Sequence, residues 1–123
     1  MSTDAARASK GTFVTVAEHE ACPVTRLLRR VGDKWSPVVI RLLATGAHGF
    51  NELDRSIEGI SRRMLTRTLR GLQDEGFVSR TVRGGKAMRV EYALTELGAS
   101  LRDQLAALGG WAATHQTSRP EQR

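Results

Sequence analysis

The stretch ISRRMLTRTLRGLQDEGFVSR, residues 60–80, combines a leucine repeat with a run of arginines. When the residues are placed at about 100° intervals around a helix, Leu69 and Leu72 fall within about 40° of Leu65. Four polar or basic residues fall on the opposite side, between about 100° and 200°: Arg63, Thr66, Arg67 and Arg70. The pattern predicts a helix with one buried apolar seam and one basic side that faces solvent.

Exposed arginines are ordinarily explained as a solvated protein surface. Surface helices, however, usually mix both signs of charge at i, i+4 spacing. In this stretch no anion appears before Asp74. We therefore interpret the basic side of the helix as a surface that binds an anionic partner.

After Gly76 the apolar period changes from that of a helix to that of a strand. The runs FVSRTVR and KAMRVEYAL predict two strands. Gly84 and Gly85 join them and allow the positive φ angles of a tight hairpin. Three cations lie at or near its tip: Arg83, Lys86 and Arg89.

Three shorter helices are predicted before the basic helix. The first starts at Pro23, and the second has Ser36 as its N-cap and Pro37 at its first position. The run FNELDRSI predicts a third, short helix. The turn EGI then leads to Ser61, which is expected to cap the basic helix.

A last long helix is predicted after the hairpin, with Thr95 as its cap. Its apolar residues recur at steps of three and four. We expect this stripe to be too long for a domain of this size to bury alone. We therefore expect the chain to form a homodimer through it. The predicted dimerisation residues are Leu97, Leu101, Leu105, Leu108 and Trp111.

The composition indicates one domain with a concentrated positive charge. The chain has 123 residues and a net charge of +6. Residues 61–90 contain eight cations and two anions, so this segment alone carries a charge equal to that of the whole chain. The positive charge is therefore focused on one segment and is not spread over the whole surface. Such a focused charge favours nucleic acid as the partner.

Other classes of protein find little support in the sequence. The chain has no apolar run long enough for a membrane span and no apolar signal-peptide core, so we expect no membrane partner. With one cysteine it has no disulfide framework, and we therefore expect a cytoplasmic location. His19 and Cys22 have metal-ligand spacing, but no second pair follows. No catalytic motif is present, and we expect neither an enzyme nor a cofactor.

The order of predicted elements is that of a winged helix-turn-helix. Two helices joined by a short turn, the second with exposed donors, form a helix-turn-helix, and the hairpin after it forms a wing. The fold class is therefore mainly α with a small β-hairpin wing (α+β). We expect a flexible N-terminal segment (residues 1–20), a winged domain with a C-terminal dimerisation helix (21–113) and a polar tail (114–123).

A helix of this kind fits the major groove of B-DNA, where arginine reads the O6 and N7 atoms of guanine. We therefore expect double-stranded DNA as the partner. The predicted contacts of the helix are Ser61, Arg62, Arg63, Thr66, Arg67 and Arg70. The wing cations Arg83, Lys86 and Arg89 are expected to contact the flanking backbone or the minor groove.

Short motifs that are weak alone occur together between residues 21 and 112: Cys22-Pro23-Val24, Gly32-Asp33-Lys34-Trp35, Phe50-Asn51-Glu52-Leu53, Gly59-Ile60-Ser61, Met64-Leu65-Thr66, Gly76-Phe77-Val78 and Leu94-Thr95-Glu96-Leu97-Gly98. Because it carries these motifs in combination, the chain resembles the HxlR-type winged helix-turn-helix regulators, a group related to the MarR regulators. The resemblance implies a homodimer that binds a pseudo-palindromic operator. The wing departs from the family pattern, because its tip, Arg83-Gly84-Gly85-Lys86-Ala87, lacks the prolines that are often found there.

Cys22 is the only candidate for covalent chemistry. Several members of the family that the chain resembles sense electrophiles or oxidants through a cysteine at the matching position. A thiol just before Pro23 lies at a helix start, where the helix dipole lowers its pKa. The alternative is that Cys22 is a small buried apolar residue, which is a common role for a free cysteine.

We expect the protein to be a sequence-specific DNA-binding transcriptional regulator, acting as a repressor. Two alternatives make different predictions. A winged helix used for protein interaction would expose an acidic or apolar helix, and a non-specific, nucleoid-type DNA binder would spread its cations over the whole surface.

Overall fold

The computed structural model describes residues 11–116. Its helices are α1 Val16–Ala21, α2 Pro23–Val31, α3 Trp35–Leu43, α4 Phe50–Ser56, α5 Arg62–Asp74 and α6 Glu96–Gln116. Its strands are β1 His48–Gly49, β2 Val78–Arg83 and β3 Arg89–Leu94. The protein is thus mainly helical with a small antiparallel sheet, and the predicted fold class, a winged helix, is confirmed. No helix in the described range is long and apolar enough to cross a bilayer.

Both predicted terminal segments contain helical residues. Helix α1 overlaps the predicted flexible segment over residues 16–20 and starts with a capping box, in which Thr15 and Glu18 exchange hydrogen bonds of 2.8 and 3.1 Å. Helix α6 continues to Gln116, past the predicted start of the tail at residue 114. The rest of the two predicted segments, residues 1–10 and 117–123, lies outside the described residues.

The start of α3 differs from the prediction that Ser36 is its N-cap. The helix begins at Trp35, and the carboxylate of Asp33 accepts hydrogen bonds from the backbone N–H groups of Trp35 and Ser36. The Ser36 hydroxyl is buried and donates to the same carboxylate at 2.8 Å. Burial raises the pKa of Asp33, but these hydrogen bonds outweigh the effect and leave the pKa lowered.

The sheet has the order β1-β3-β2, and all neighbouring strands are antiparallel. Strand β1 was not predicted, because two residues are too few to show a period. The prediction of a tight turn at Gly84-Gly85 is wrong: the last paired residues are Arg83 and Arg89, so a five-residue loop connects the strands.

The core lies between α3, α5 and the inner side of the sheet. The predicted seam of α5 is confirmed, since Leu65, Leu69 and Leu72 are buried. Helix α5 packs against α3 and β2 through this seam. Burying three leucines is worth several kcal/mol in total and fixes which side of α5 faces outward.

Candidate nucleic-acid interface

Helices α4 and α5 form the helix-turn-helix unit. Gly59 has a φ of +91°, which a side chain would strain, and this conformation lets the chain reverse between the two helices. The Ser61 hydroxyl then accepts a hydrogen bond of 3.0 Å from the N–H of Met64. Ser61 is therefore the N-cap of α5, as predicted, and its side chain is occupied in starting the helix.

The outer side of α5 presents donors that no other part of the described chain uses. Arg63, Thr66 and Arg67 are exposed, opposite the buried leucine seam. None of the three forms an ion pair or a side-chain hydrogen bond within residues 11–116. We call these three residues the reading face. Two guanidinium groups and a hydroxyl are the groups that recognise guanine edges and phosphates.

Arg62 lies beside the reading face but is bound to α4. Its Nη1 atom donates to Asn51 Oδ1 at 3.1 Å and lies 3.3 Å from Asp54 Oδ2. Its guanidinium lies 4.8 Å from the centre of the Phe50 ring. In this structure Arg62 therefore joins the two helices of the motif, which makes it a positioning residue.

The three predicted wing cations do not have equivalent environments. On one side of the sheet, Arg83 Nε lies 2.8 Å from Glu91 Oε1, and Arg89 Nη2 lies 3.8 Å from Glu91 Oε2. Lys86, in the loop, has no ion pair with any residue that the structure describes. Glu91 therefore partly neutralises the base of the wing, and Lys86 carries the free charge of its tip.

The predicted apolar stripe of α6 divides into two sets. Leu101 is only 8% exposed and belongs to the chain's own core, and Leu105 packs against that core. The first half of α6 lies on α3 and β3, so these two leucines contribute to the subunit's own core, and their role in a dimer stays a prediction. Leu97, Leu108 and Trp111 remain more than half exposed.

Cys22 lies at the junction of α1 and α2 and is partly exposed. The N–H of Thr25 and its hydroxyl, followed by the N–H of Val24, hold the pKa of the Cys22 thiol below its usual range, against a smaller opposing effect of burial. The pKa of the thiol is thus lowered, as the sequence predicts for a cysteine at a helix start.

At the other end of α2, Arg30 forms a 2.7 Å ion pair with Glu75, the C-cap of α5.

Comparison with known proteins agrees with this geometry. The family model of the HxlR-like helix-turn-helix matches residues 30–120. The chain is 36% identical over 92 residues to the uncharacterized HTH-type transcriptional regulator YtfH of Escherichia coli. The matched residues cover 75% of this chain and 73% of YtfH.

Solved structures have the same fold. The redox regulator HypR in its reduced form superposes with a TM-score of 0.71 at 34% identity, over 77% of this chain and 94% of HypR. The reduced form of the regulator YodB from Bacillus subtilis gives a TM-score of 0.72 at 28% identity, over 82% and 98% of the two chains. Because the family model covers most of the chain, and the winged helix-turn-helix is present with its basic side exposed, this protein belongs to the HxlR-like helix-turn-helix family of DNA-binding transcriptional regulators.

Proposed function

We propose that this regulator is a cytoplasmic repressor, and not an enzyme, that binds a pseudo-palindromic operator as a homodimer and reads bases through α5. The observation that carries the proposal is the reading face. Arg63, Thr66 and Arg67 project from a helix whose other side is anchored in the core, and no anion of the described chain neutralises them. A rigid helix with free donors is what sequence reading in the major groove requires.

Selection of binding sites from random double-stranded DNA tests this proposal. We expect a two-fold symmetric motif whose half-sites are separated by about one helical turn, roughly 34 Å. A protein-interaction module would retain no DNA, and a nucleoid-type binder would retain DNA without a motif. Either result would contradict the proposal.

Arg67→Ala is expected to lower operator affinity by about 1–3 kcal/mol and to relax the preference at one base pair of each half-site. The reason is that Arg67 is exposed and free of partners, so its guanidinium is available to a base edge. The measurement is binding to the selected operator and to its single-base variants. The free energy of unfolding should not change.

Arg62→Ala is the matched control, because it removes the same charge from another exposed position of α5. Its loss breaks the contacts with α4 and is expected to lower the free energy of unfolding by about 0.5–1 kcal/mol, without changing base preference. If Arg62→Ala relaxes base preference and Arg67→Ala does not, the assignment of reading and positioning roles is wrong.

We further propose that modification of Cys22 controls operator binding. The lowered pKa of the thiol and its partial exposure support this role, because the thiolate is the reactive form. The similarity to HypR, a redox regulator, adds to the support. Helix α2 offers a physical connection, since it starts beside Cys22 and its Arg30 contacts the end of α5. With a single cysteine in the chain, the product is an adduct or a disulfide with Cys22 of the partner subunit.

Treatment with diamide, a quinone or an aldehyde is therefore expected to weaken operator binding by about ten- to thirtyfold in the wild type and not in Cys22→Ser. Operator binding during titration with each reagent is the measurement, and reduction with dithiothreitol should reverse the diamide effect. If both proteins keep or lose the operator in parallel, Cys22 has only a structural role.

A further inference from the structure

A cleft of about 430 Å³ separates the second half of α5 from the sheet. Helix α5 contributes Thr66, Arg70 and Gln73 to its walls, and the sheet contributes Arg80 and Tyr92. Arg80 is not among the DNA contacts that the sequence predicts. Arg70 is, but it faces this cleft on the sheet side of the reading face.

The strand register shows why Arg80 is unusual. Directly opposed residues of an antiparallel pair project to the same side of a sheet, and the side alternates along each strand. Val78 is opposite Leu94 and is buried in the core, so the next residue on the inner side is Arg80, opposite Tyr92. An arginine thus occupies a core-facing position of β2, at the point where the core ends and the cleft begins.

The polar groups of this cleft have no partner in the rest of the described chain. Neither Arg70 nor Arg80 forms an ion pair there, whereas Arg83, three residues further along β2, is bound to Glu91. The Tyr92 hydroxyl and the Thr66 hydroxyl also form no hydrogen bond within residues 11–116. Two free guanidinium groups and two free hydroxyls therefore converge on one opening.

DNA geometry indicates what enters this opening. When α5 lies in the major groove and the wing lies over the adjacent minor groove, the sugar-phosphate strand that separates the two grooves has to pass between the helix and the sheet. We propose that the cleft holds one backbone phosphate of each half-site, bound by the guanidinium groups of Arg70 and Arg80 together and by the Tyr92 hydroxyl. This rests on the proposed function only in that α5 enters the major groove.

Such a contact has a distinct physical role. A phosphate held between α5 and β2 fixes how deeply and at what angle the helix enters the groove, and it carries no base information. Asp74, at the end of α5, also lines this cleft. Its negative charge disfavours a phosphate shifted toward that end, so it helps to define a single position for the strand.

The test measures binding of Arg70→Ala, Arg80→Ala and the double variant to the operator and to an unrelated duplex over a range of salt concentrations. Each single variant is expected to weaken binding to both duplexes by about tenfold and to reduce the slope of log K against log[salt] by less than about 0.9, because the other guanidinium group still neutralises part of the phosphate charge. Because the two arginines share one phosphate, the double variant should lose only about 0.9 of slope in total. Ethylation of one phosphate in each half-site should weaken wild-type binding and leave the double variant unaffected.

Arg41→Ala is the control for loss of charge, because Arg41 lies on α3 in a different groove, which α3 forms with α6. The proposal is overturned if Arg80→Ala binds DNA no more weakly than Arg41→Ala, or if Arg70→Ala changes the preferred base at any position. A loss of about 1.8 in slope in the double variant would show two separate phosphates and would overturn the shared site. Stabilisation of the DNA-free protein by millimolar inorganic phosphate, lost in Arg80→Ala, would also overturn it in favour of a small-anion site.

These outcomes are separable from failure of the proposed function. The unrelated duplex reports on the phosphate contact whether or not a preferred operator sequence exists. If no motif can be selected from random DNA, a loss of slope in Arg80→Ala still supports the phosphate site. Circular dichroism of each variant should show unchanged unfolding, since both arginines are exposed.

Discussion

The Gly98→Ala variant is expected to lose about 3 kcal/mol of folding stability, although alanine is normally the better helix former. Gly98 lies in the first turn of α6, where a Cβ atom would overlap the carbonyl oxygen of Phe77 and lie 3.1 Å from Cδ2 of Leu94. Backbone cannot move aside as a flexible side chain can, so the methyl group has to separate α6 from the turn that precedes β2.

That junction is held by several hydrogen bonds. The Thr95 hydroxyl donates to the Gly76 carbonyl oxygen at 2.6 Å and accepts from the N–H of Gly98 at 3.0 Å, and the Thr95 N–H donates to the Phe77 carbonyl oxygen. A displaced α6 strains all three. For a domain of this size the expected fall in melting temperature is roughly 10–20 °C, measured by circular dichroism or calorimetry without DNA.

Gly71→Ala provides the matched control. Gly71 lies inside α5 and has no atom within 4 Å of an added Cβ, so the same substitution should stabilise the protein by about 0.5–1 kcal/mol. If Gly98→Ala melts at or above the wild-type temperature, the approach of α6 to Phe77 is not as close as the structure indicates.

Some features of this protein could be predicted from the sequence because they depend on residues that are close together in the chain. The leucine seam of α5 occurs at regular helical positions, and Ser61 has a local partner three residues away in Met64. Both are decided within one turn or one face of a helix. The basic side of α5 follows directly, because a buried seam on one side leaves the other side to solvent.

Features that depend on distant residues could not be predicted in this way. Arg62 resembles its neighbours in the sequence, and its contacts with Phe50, Asn51 and Asp54 on α4 separate it from the reading face. Glu91 neutralises Arg83 and Arg89 only because the strand register brings them together. The sequence shows that Arg80 is unusual, since it interrupts the alternation of Val78 and Val82. The cleft could not be predicted, because its other wall is formed by α5.

The limits of the α6 prediction have the same cause. The stripe from Leu97 to Trp111 is continuous in sequence, but the core ends near Leu105, and a helical period does not reveal where a core ends. The structure thus reduces the predicted dimer surface to the exposed part of the stripe. Leu105, one of the predicted dimerisation residues, packs against the chain's own core, and a charge there would destabilise the subunit itself.

Replacement of both Leu108 and Trp111 by aspartate is therefore expected to convert a dimer into a folded monomer and to weaken operator binding by at least about a hundredfold. Both side chains are 58% exposed on the second half of α6, where the chain's own core no longer supports the helix. Exposed large apolar residues on such a helix indicate a surface that another molecule covers. Size-exclusion chromatography with light scattering at micromolar concentration measures the assembly.

Leu108→Met with Trp111→Phe is the control, because it keeps an apolar surface at the same two positions and should keep the dimer. Binding to a duplex with a single half-site distinguishes loss of the dimer from repulsion of DNA by the new charges. The monomeric variant should bind it within about twofold of the wild type, since the reading face is unchanged, whereas general repulsion by the new carboxylates would weaken it as well. A wild-type protein that is monomeric at micromolar concentration would exclude paired half-sites altogether.

The size of the expected effect follows from linkage of the two reading helices. Once one half-site is bound, a dimer would present the second helix at a high effective concentration, and this raises affinity by as much as about 10²–10⁴-fold. It exists only if the two α5 helices are held about 34 Å apart, the spacing of successive major grooves. A dimer anchored on Leu108 and Trp111 would couple a shift of α6 to both half-sites at once, so a small conformational change at this surface would alter operator affinity through both reading helices.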